Sequence, residues 1–296
     1  MGEIYKMIKL FADTASLDEI KYCFARGVND GITTNPKIIE STGDLSLGFK
    51  EACKRILSAY PDIPVSLETD FGRRNMTYVH QNPRDIGNLL LAQARELASW
   101  GDNVIVKIPI CYGGLRATEI LSKDGIKTNV TACITPYQAL EAANAGATYV
   151  SLFANRMLDP HILELAEYSP ERILKTDKWK DIVKENQQHV EEAWDRTLGQ
   201  IDFVARKLEG TKSELIVGSI RSPQDMHRIS KANPQIITVP YGIVQGLENI
   251  LILKNQNREV KEAKFNQGSS LIHPMTDYTL EEFERAAESY RNKRST

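Results

Sequence analysis

One lysine sits inside an almost wholly apolar run, Lys107 in NVIVKIPI (residues 103–110). An ammonium held away from water must find a partner or give up its proton. A long stem that snorkels to the strand end is the ordinary outcome for a single lysine, so Lys107 needs company to mean more. Polar groups recur near the ends of similar runs. Asp13 and Asn35 follow two of them, Glu68 stands two after Ser66, and Asn129 stands two before Thr131. Ser151 and Phe153, and Ser219 and Arg221, repeat the spacing. Residues two apart on a strand point the same way, so seven runs would bring a polar group to one rim.

A buried lysine close to carboxylates is the arrangement for amine nucleophilic catalysis: burial favours the free amine, which attacks a carbonyl and forms a Schiff base. The iminium then takes up electrons while a carbon–carbon bond is broken or made. Arg156 and Arg221, with the Ser219 hydroxyl and the start of the following helix, would suit a terminal phosphate, or would form two surface ion pairs. Structural readings stand beside the chemical ones. Asp13 could cap a helix, Asn35 before Pro36 could be a turn residue, and Glu68 could be a bare counter-charge.

Eight β-rich runs carry these residues: IKLFADT, GITTNP, VSLETD, VIVKIPI, IKTNVTACI, TYVSLFA, LIVGSI and IITVPY. Helical stretches lie between them, such as SLDEIKYCFARG, which opens on Ser16 as a cap and closes on Gly27. Strands alternating with helices predict parallel pairing, and eight such units are what a closed (β/α)8 TIM barrel needs, with chemistry at the C-terminal strand ends. An open doubly wound sheet is the alternative, and it lacks the G-x-G-x-x-G expected after the first strand. The chain is expected to be a single barrel domain over residues 1–296, with an enlarged helical connection over residues 160–212, between strands six and seven. There Val190, Trp194, Ile201, Val204 and Leu208 recur at helical intervals, a stripe suited to packing. Residues 278–296 are expected to form an amphipathic helix capped by Thr279, then a basic tail.

A formal charge of -2 argues against a nucleic-acid or membrane-surface protein and towards a small-molecule partner. MGEIYKMIKL lacks the apolar run of a signal peptide, no later segment is long enough to cross a bilayer, and Gly2 lacks a myristoylation context, so a cytoplasmic location is expected. Cys23, Cys53, Cys111 and Cys133 are widely spaced and should be buried free thiols. The five histidines are scattered, which gives no visible metal-ligand set.

Taken together these segments resemble the transaldolase family. FADTASLDEIKYCFARGVNDGITTNPKII resembles its opening, VIVKIPI the strand that bears the Schiff-base lysine, and LSKDGIKTNVTACITPYQALEAANAGATYVSLFANR the stretch that follows. GSIRSPQ is similar to the family's Ser-x-Arg phosphate segment, and LIHPMTDYTLEEFERAAES resembles the tail of small transaldolases. The likeness covers most of the chain outside about residues 160–212.

This resemblance implies a Schiff base between Lys107 and a ketose donor, with Asp13 taking the hydroxyl proton whose loss starts retro-aldol cleavage. It implies that Glu68 and Thr131 hold a proton-shuttling water, and that Asn35, Asn129 and Ser151 bind the sugar and the three-carbon enamine. It assigns the phosphate to Arg156, Ser219 and Arg221, implies no metal or organic cofactor, and suggests a homo-oligomer acting on sugar phosphates. Glu68 and Phe153 stand where the family's aldolases tend to carry Gln and Tyr, which favours transfer to an acceptor. Asn155 is closer to the aldolase side, and Lys37 and Leu152 replace the usual Ser and Pro. An aldolase releasing free dihydroxyacetone, a transaldolase for a sulfonated ketose, and a non-catalytic sugar-phosphate binder are the alternatives.

Overall fold

In the computed structural model, which describes residues 7–176, 178–247 and 258–292, eight parallel strands close into a barrel in chain order. They are β1 (Lys9–Asp13), β2 (Gly31–Thr33), β3 (Val65–Glu68), β4 (Val104–Pro109), β5 (Thr128–Cys133), β6 (Tyr149–Phe153), β7 (Glu214–Gly218) and β8 (Ile236–Pro240). The ring is sealed by β8 against β1, with Lys9 opposite Ile236 and Asp13 opposite Pro240. Every apolar run became a strand, and the architecture is a (β/α)8 barrel. Strands β4 and β5 are buried along their whole length, since helices cover one face and packed side chains fill the other.

Helix starts carry the signals their sequence gives. Ser16 accepts from the Glu19 N–H ahead of the helix Leu17–Ala25, and Asn35 from the Ile38 N–H ahead of Pro36–Thr42. Thr135 with Gln138, and Ser222 with Asp225, form reciprocal capping boxes ahead of Pro136–Asn144 and Pro223–Lys231.

Two layers inside the barrel decide where the chemistry sits. Phe11, Ile105, Tyr149, Ile216 and Ile236 form an apolar cluster distinct from the larger core between strands and helices. Two residues further along the same five strands stand Asp13, Lys107, Ser151, Gly218 and Thr238. Side chains two apart share a face, so the apolar cluster is a floor and four polar side chains stand on it, with Gly218 leaving space among them. The Phe11 ring fits because residue 31 is glycine: a Cβ there would lie 2.5 Å from two of its ring carbons.

The connection between β6 and β7 is helical but divided. It runs through Ala154–Leu165, Pro170–Ile173, Trp179–Glu185, a 3-10 turn at Gln187–His189, and Val190–Leu208. Trp194, Ile201, Val204 and Leu208 are buried, as their spacing requires, and Trp179 stacks edge-on against Tyr278 with ring centres 5.4 Å apart.

The C-terminal helix, Pro274–Asn292, starts a turn earlier than expected. Thr279 is therefore no cap. Its hydroxyl donates back to the Met275 carbonyl at 2.7 Å within the helix, while His273 Nδ1 accepts from the Met275 N–H at 3.2 Å ahead of Pro274. The basic tail expected beyond it, residues 293–296, lies outside the described residues. The four cysteines are free and buried, as expected. No helix among the described residues is long and apolar enough to cross a membrane.

Candidate active site

Lys107 is buried near the end of β4, and its ammonium donates to the Thr34 carbonyl at 2.9 Å. The Glu68 carboxylate lies 3.2 Å away on the neighbouring strand, and both side chains are nearly sealed from solvent, at 5% and 1% exposure. Register brings them together, since β3 and β4 pair with Glu68 opposite Lys107. The Phe153 ring centre is 5.9 Å from the ammonium. Burial pushes the Glu68 carboxyl up to about 7 against the pull of the Lys107 charge. Apart from the Lys107 ammonium beside Oε2, neither carboxylate oxygen of Glu68 receives a hydrogen bond, and the buried Thr131 hydroxyl has none either.

Asp13 reaches the same space from β1. Its carboxyl accepts from the Thr33 hydroxyl at 2.6 Å, and Thr33 in turn meets Thr238 hydroxyl to hydroxyl. Burial raises the Asp13 carboxyl above its ordinary value, with Lys107 and Thr33 opposing. Two carboxyls displaced upward by burial thus stand beside one amine, and that of Glu68 is held ready to carry a proton near neutral pH. Asp13 is not a helix cap, because Ser16 takes that place.

Asn129 connects three strands: its amide donates to Ser66 Oγ at 3.1 Å and accepts from Ser151 Oγ at 2.7 Å. Beyond Thr131, Ala132 adopts φ 61°, where the β5 register against β6 shifts. Ser219, after β7, adopts the same φ. Left-handed backbone at non-glycine residues costs roughly 1–2 kcal/mol and persists only where its surroundings hold it. Both are held through their carbonyls, Ala132 by the Thr276 hydroxyl at 3.1 Å and Ser219 by the Asn155 amide at 2.7 Å.

A cavity of about 130 Å³ opens at this rim. Asp13, Asn35, Lys107, Ser151, Phe153, Arg156 and Ser219 line it, so seven of the sequence-derived residues share one space. Asn35 combines two roles, since its side chain also caps the next helix at 2.9 Å. Thr33, Ile216, Gly218, Thr238, Thr279 and Phe283 complete the lining. Thr33 and Thr238 escaped sequence reasoning, although each is a polar residue in an apolar run. Phe283 comes from the C-terminal helix, 6.3 Å ring to ring from Phe153, and roofs the space. Glu68 faces a neighbouring void of about 10 Å³ shared with Phe71, Pro109 and Phe283. A larger cavity, of about 450 Å³, lies between the helix Ala154–Leu165 and residues 266–274 and contains none of the rim carboxyls or Lys107.

The two arginines part company. Arg156 lines the cavity and pairs with Glu282 of the C-terminal helix. Arg221 does not line it. Its guanidinium is held bidentate by the fully buried Asp159 at 2.7 and 2.5 Å. Both expected ion pairs therefore exist, and only Arg156 combines its pair with a place in the cavity. Asn155 is turned to Ser219 and to Asp225, which it meets at 2.8 Å, and is not part of the lining.

The family model described as Transaldolase/Fructose-6-phosphate aldolase matches residues 10–294, the connection included. A "Probable transaldolase" of Hydrogenobaculum sp. (strain Y04AAS1) is 32% identical over 286 residues, 97% of this chain and 99% of its own length. Similar proteins of the same printed name come from Bdellovibrio bacteriovorus, 33% identical over 81% of this chain and 89% of the relative, and Anaeromyxobacter sp. (strain K), 31% identical over 81% and 88%.

Proposed function

Since the chain belongs to the transaldolase/fructose-6-phosphate aldolase family, we propose that it moves a dihydroxyacetone unit from a ketose phosphate to an aldose acceptor through a Schiff base on Lys107. Fructose 6-phosphate and sedoheptulose 7-phosphate are the model donors. The observation that carries this reading is Lys107, buried 3.2 Å from Glu68 in a barrel end that also holds Asp13.

The amine attacks the donor's keto carbon, and loss of the carbinolamine hydroxyl as water gives the iminium. Glu68, with its raised pKa and an Oε1 that accepts no hydrogen bond, and Thr131, with its unpaired hydroxyl, are suited to hold the water that moves these protons. Asp13 takes the proton from the hydroxyl on the far side of the scissile bond. That carbon–carbon bond then breaks, its electrons pass into the iminium, and an aldehyde leaves. Asn129, Ser151 and Asn35 supply hydrogen bonds to the retained enamine. An incoming aldose aldehyde is attacked by the enamine carbon, Asp13 returns its proton, and hydrolysis of the new iminium frees Lys107.

An enamine survives for transfer only if water is kept from it. Phe153 and Phe283 supply apolar walls, which favours transfer over release of free dihydroxyacetone. Asn155, the residue closest to the aldolase pattern, is committed to Ser219 and Asp225 and gives no support to an aldolase.

Borohydride trapping with fructose 6-phosphate, followed by peptide mass mapping, tests the proposal. A reduced three-carbon adduct on Lys107, absent from Lys107→Ala, is expected. Undiminished transfer by Lys107→Ala would remove the basis of the mechanism.

A further inference from the structure

Arg156 stands in a cluster that the catalytic steps do not use. Its guanidinium, paired to Glu282, lies 5.2 Å from the centre of the Tyr278 ring. The Tyr278 hydroxyl donates to Glu282 Oε1 at 3.4 Å, and the Lys37 ammonium lies 3.8 Å from the same oxygen. Lys180, from the helix Trp179–Glu185 of the enlarged connection, brings a third cation to 5.5 Å from the same ring. Two cations thus pair with one carboxylate, and a third stands over the ring beside it. Arg221, by contrast, is matched charge for charge by Asp159.

We propose that Lys180 and Lys37 join Arg156 to recognise the tetrahedral oxyanion at the end of the sugar, and that Glu282 is the internal anion with which that group competes. The inference rests on the Schiff-base reading and adds to it where the substrate's charge is read. An excess of two positive charges matches a phosphate dianion, and a sulfonate offers the same three acceptor oxygens with less charge. Glu282 keeps Arg156 in place while no substrate anion is present. When the anion arrives it repels Glu282 and takes over its donors, so the carboxylate sets a threshold on binding. Tyr278 holds the Lys180 ammonium above its ordinary pKa. The enlarged connection thereby takes part in substrate choice through a side chain that reaches over the C-terminal helix.

The test uses the intact protein with two donors, fructose 6-phosphate and dihydroxyacetone, which lacks the anion. Trapping at Lys107 is measured as the ratio of half-saturating concentrations for the two. In Lys180→Met this ratio should shift about tenfold against the phosphorylated donor, in Glu282→Gln it should shift in its favour, and Lys180→Arg should restore the first. A purely structural cluster would move both donors together, so an unchanged ratio in Lys180→Met and Glu282→Gln overturns the proposal. Equilibrium dialysis with labelled inorganic phosphate reads the anion site without any imine. Binding by the wild type that Lys180→Met weakens about tenfold supports the site, and equal binding refutes it. Failure of dihydroxyacetone to trap would count against the Schiff-base reading alone. Repeating the ratio with 6-deoxy-6-sulfofructose separates the two anions: a preference for phosphate is expected, and a larger Lys180 effect with the sulfonate refutes the dianion match.

Discussion

Replacing Glu68 by glutamine should flatten the dependence of stability on pH. Glu68 is buried, and its carboxyl is pushed from 4.5 up to about 7, burial outweighing Lys107. A raised acid pKa means the folded protein holds a proton that the unfolded chain has already lost. Stability contributed by the neutral carboxyl is therefore complete below 4.5, declines as pH rises towards about 7, and is gone above that. At about 1.4 kcal/mol per pH unit, that interval is worth about 3 kcal/mol. Asp13 is displaced in the same direction by the same cause, so a slope of the same sign should survive in the variant. Urea unfolding of both proteins at pH 5 and pH 8 gives the comparison through the midpoint and its slope. The wild type should lose about 3 kcal/mol more than Glu68→Gln between the two. Equal losses would show that Glu68 is ionised in the folded state at both pH values, and the description of it as a proton carrier near neutrality would fall.

Other perturbations address the walls of the site and the thiols. Phe283→Ala removes the roof and should cost about 2–4 kcal/mol by thermal or urea unfolding, while raising release of free dihydroxyacetone relative to transfer; a variant that keeps both values refutes the roof. Asn129→Ala strips Ser66 and Ser151 of their shared partner and should cost about 1–3 kcal/mol along with most of the trapping at Lys107; an active, equally stable variant would show the link is dispensable. Burial pushes the Cys111 thiol to about 11 and the Cys23 thiol to about 12, and raises Cys133 further. All four thiols, Cys53 included, are buried, so iodoacetamide at pH 8 should leave them unlabelled in the native protein and modify all of them in urea; rapid native labelling would contradict their burial.

The strands were legible because a barrel strand buried on both faces has to be a short apolar run, and a polar residue in such a run stands out. Alternation then fixed which of those residues share a rim, which is why Asp13, Lys107 and Ser151 fell together. Partners contributed by helices were not legible. Asp159 and Glu282 decide what Arg221 and Arg156 can do, yet nothing in GSIRSPQ or in SLFANR points to either carboxylate. Phe283 belongs to the apolar stripe that any amphipathic helix carries, so its place over the cavity depends on how the C-terminal helix docks. Thr279 gave the pattern of a cap but lies a turn inside the helix, because Pro274 begins it and His273 supplies the cap contact.

The seam where β8 meets β1 carries an implication for the order of events in folding. It joins the first strand to the last, the pairing with the greatest loop-closure cost, so a growing barrel gains it late. Thr33 meets Thr238 across that seam while its bond to Asp13 joins β2 to β1, so an unclosed barrel has Lys107 already in its β3–β4–β5 neighbourhood but lacks the β8 wall that steadies Thr33 beside Asp13. An intermediate of this kind would hold an amine able to condense with ketones in a site whose β8 side is still open. Amides of β1 and β8 should accordingly exchange with solvent sooner than those of β4 and β5, and activity should vanish on heating before the helices unwind.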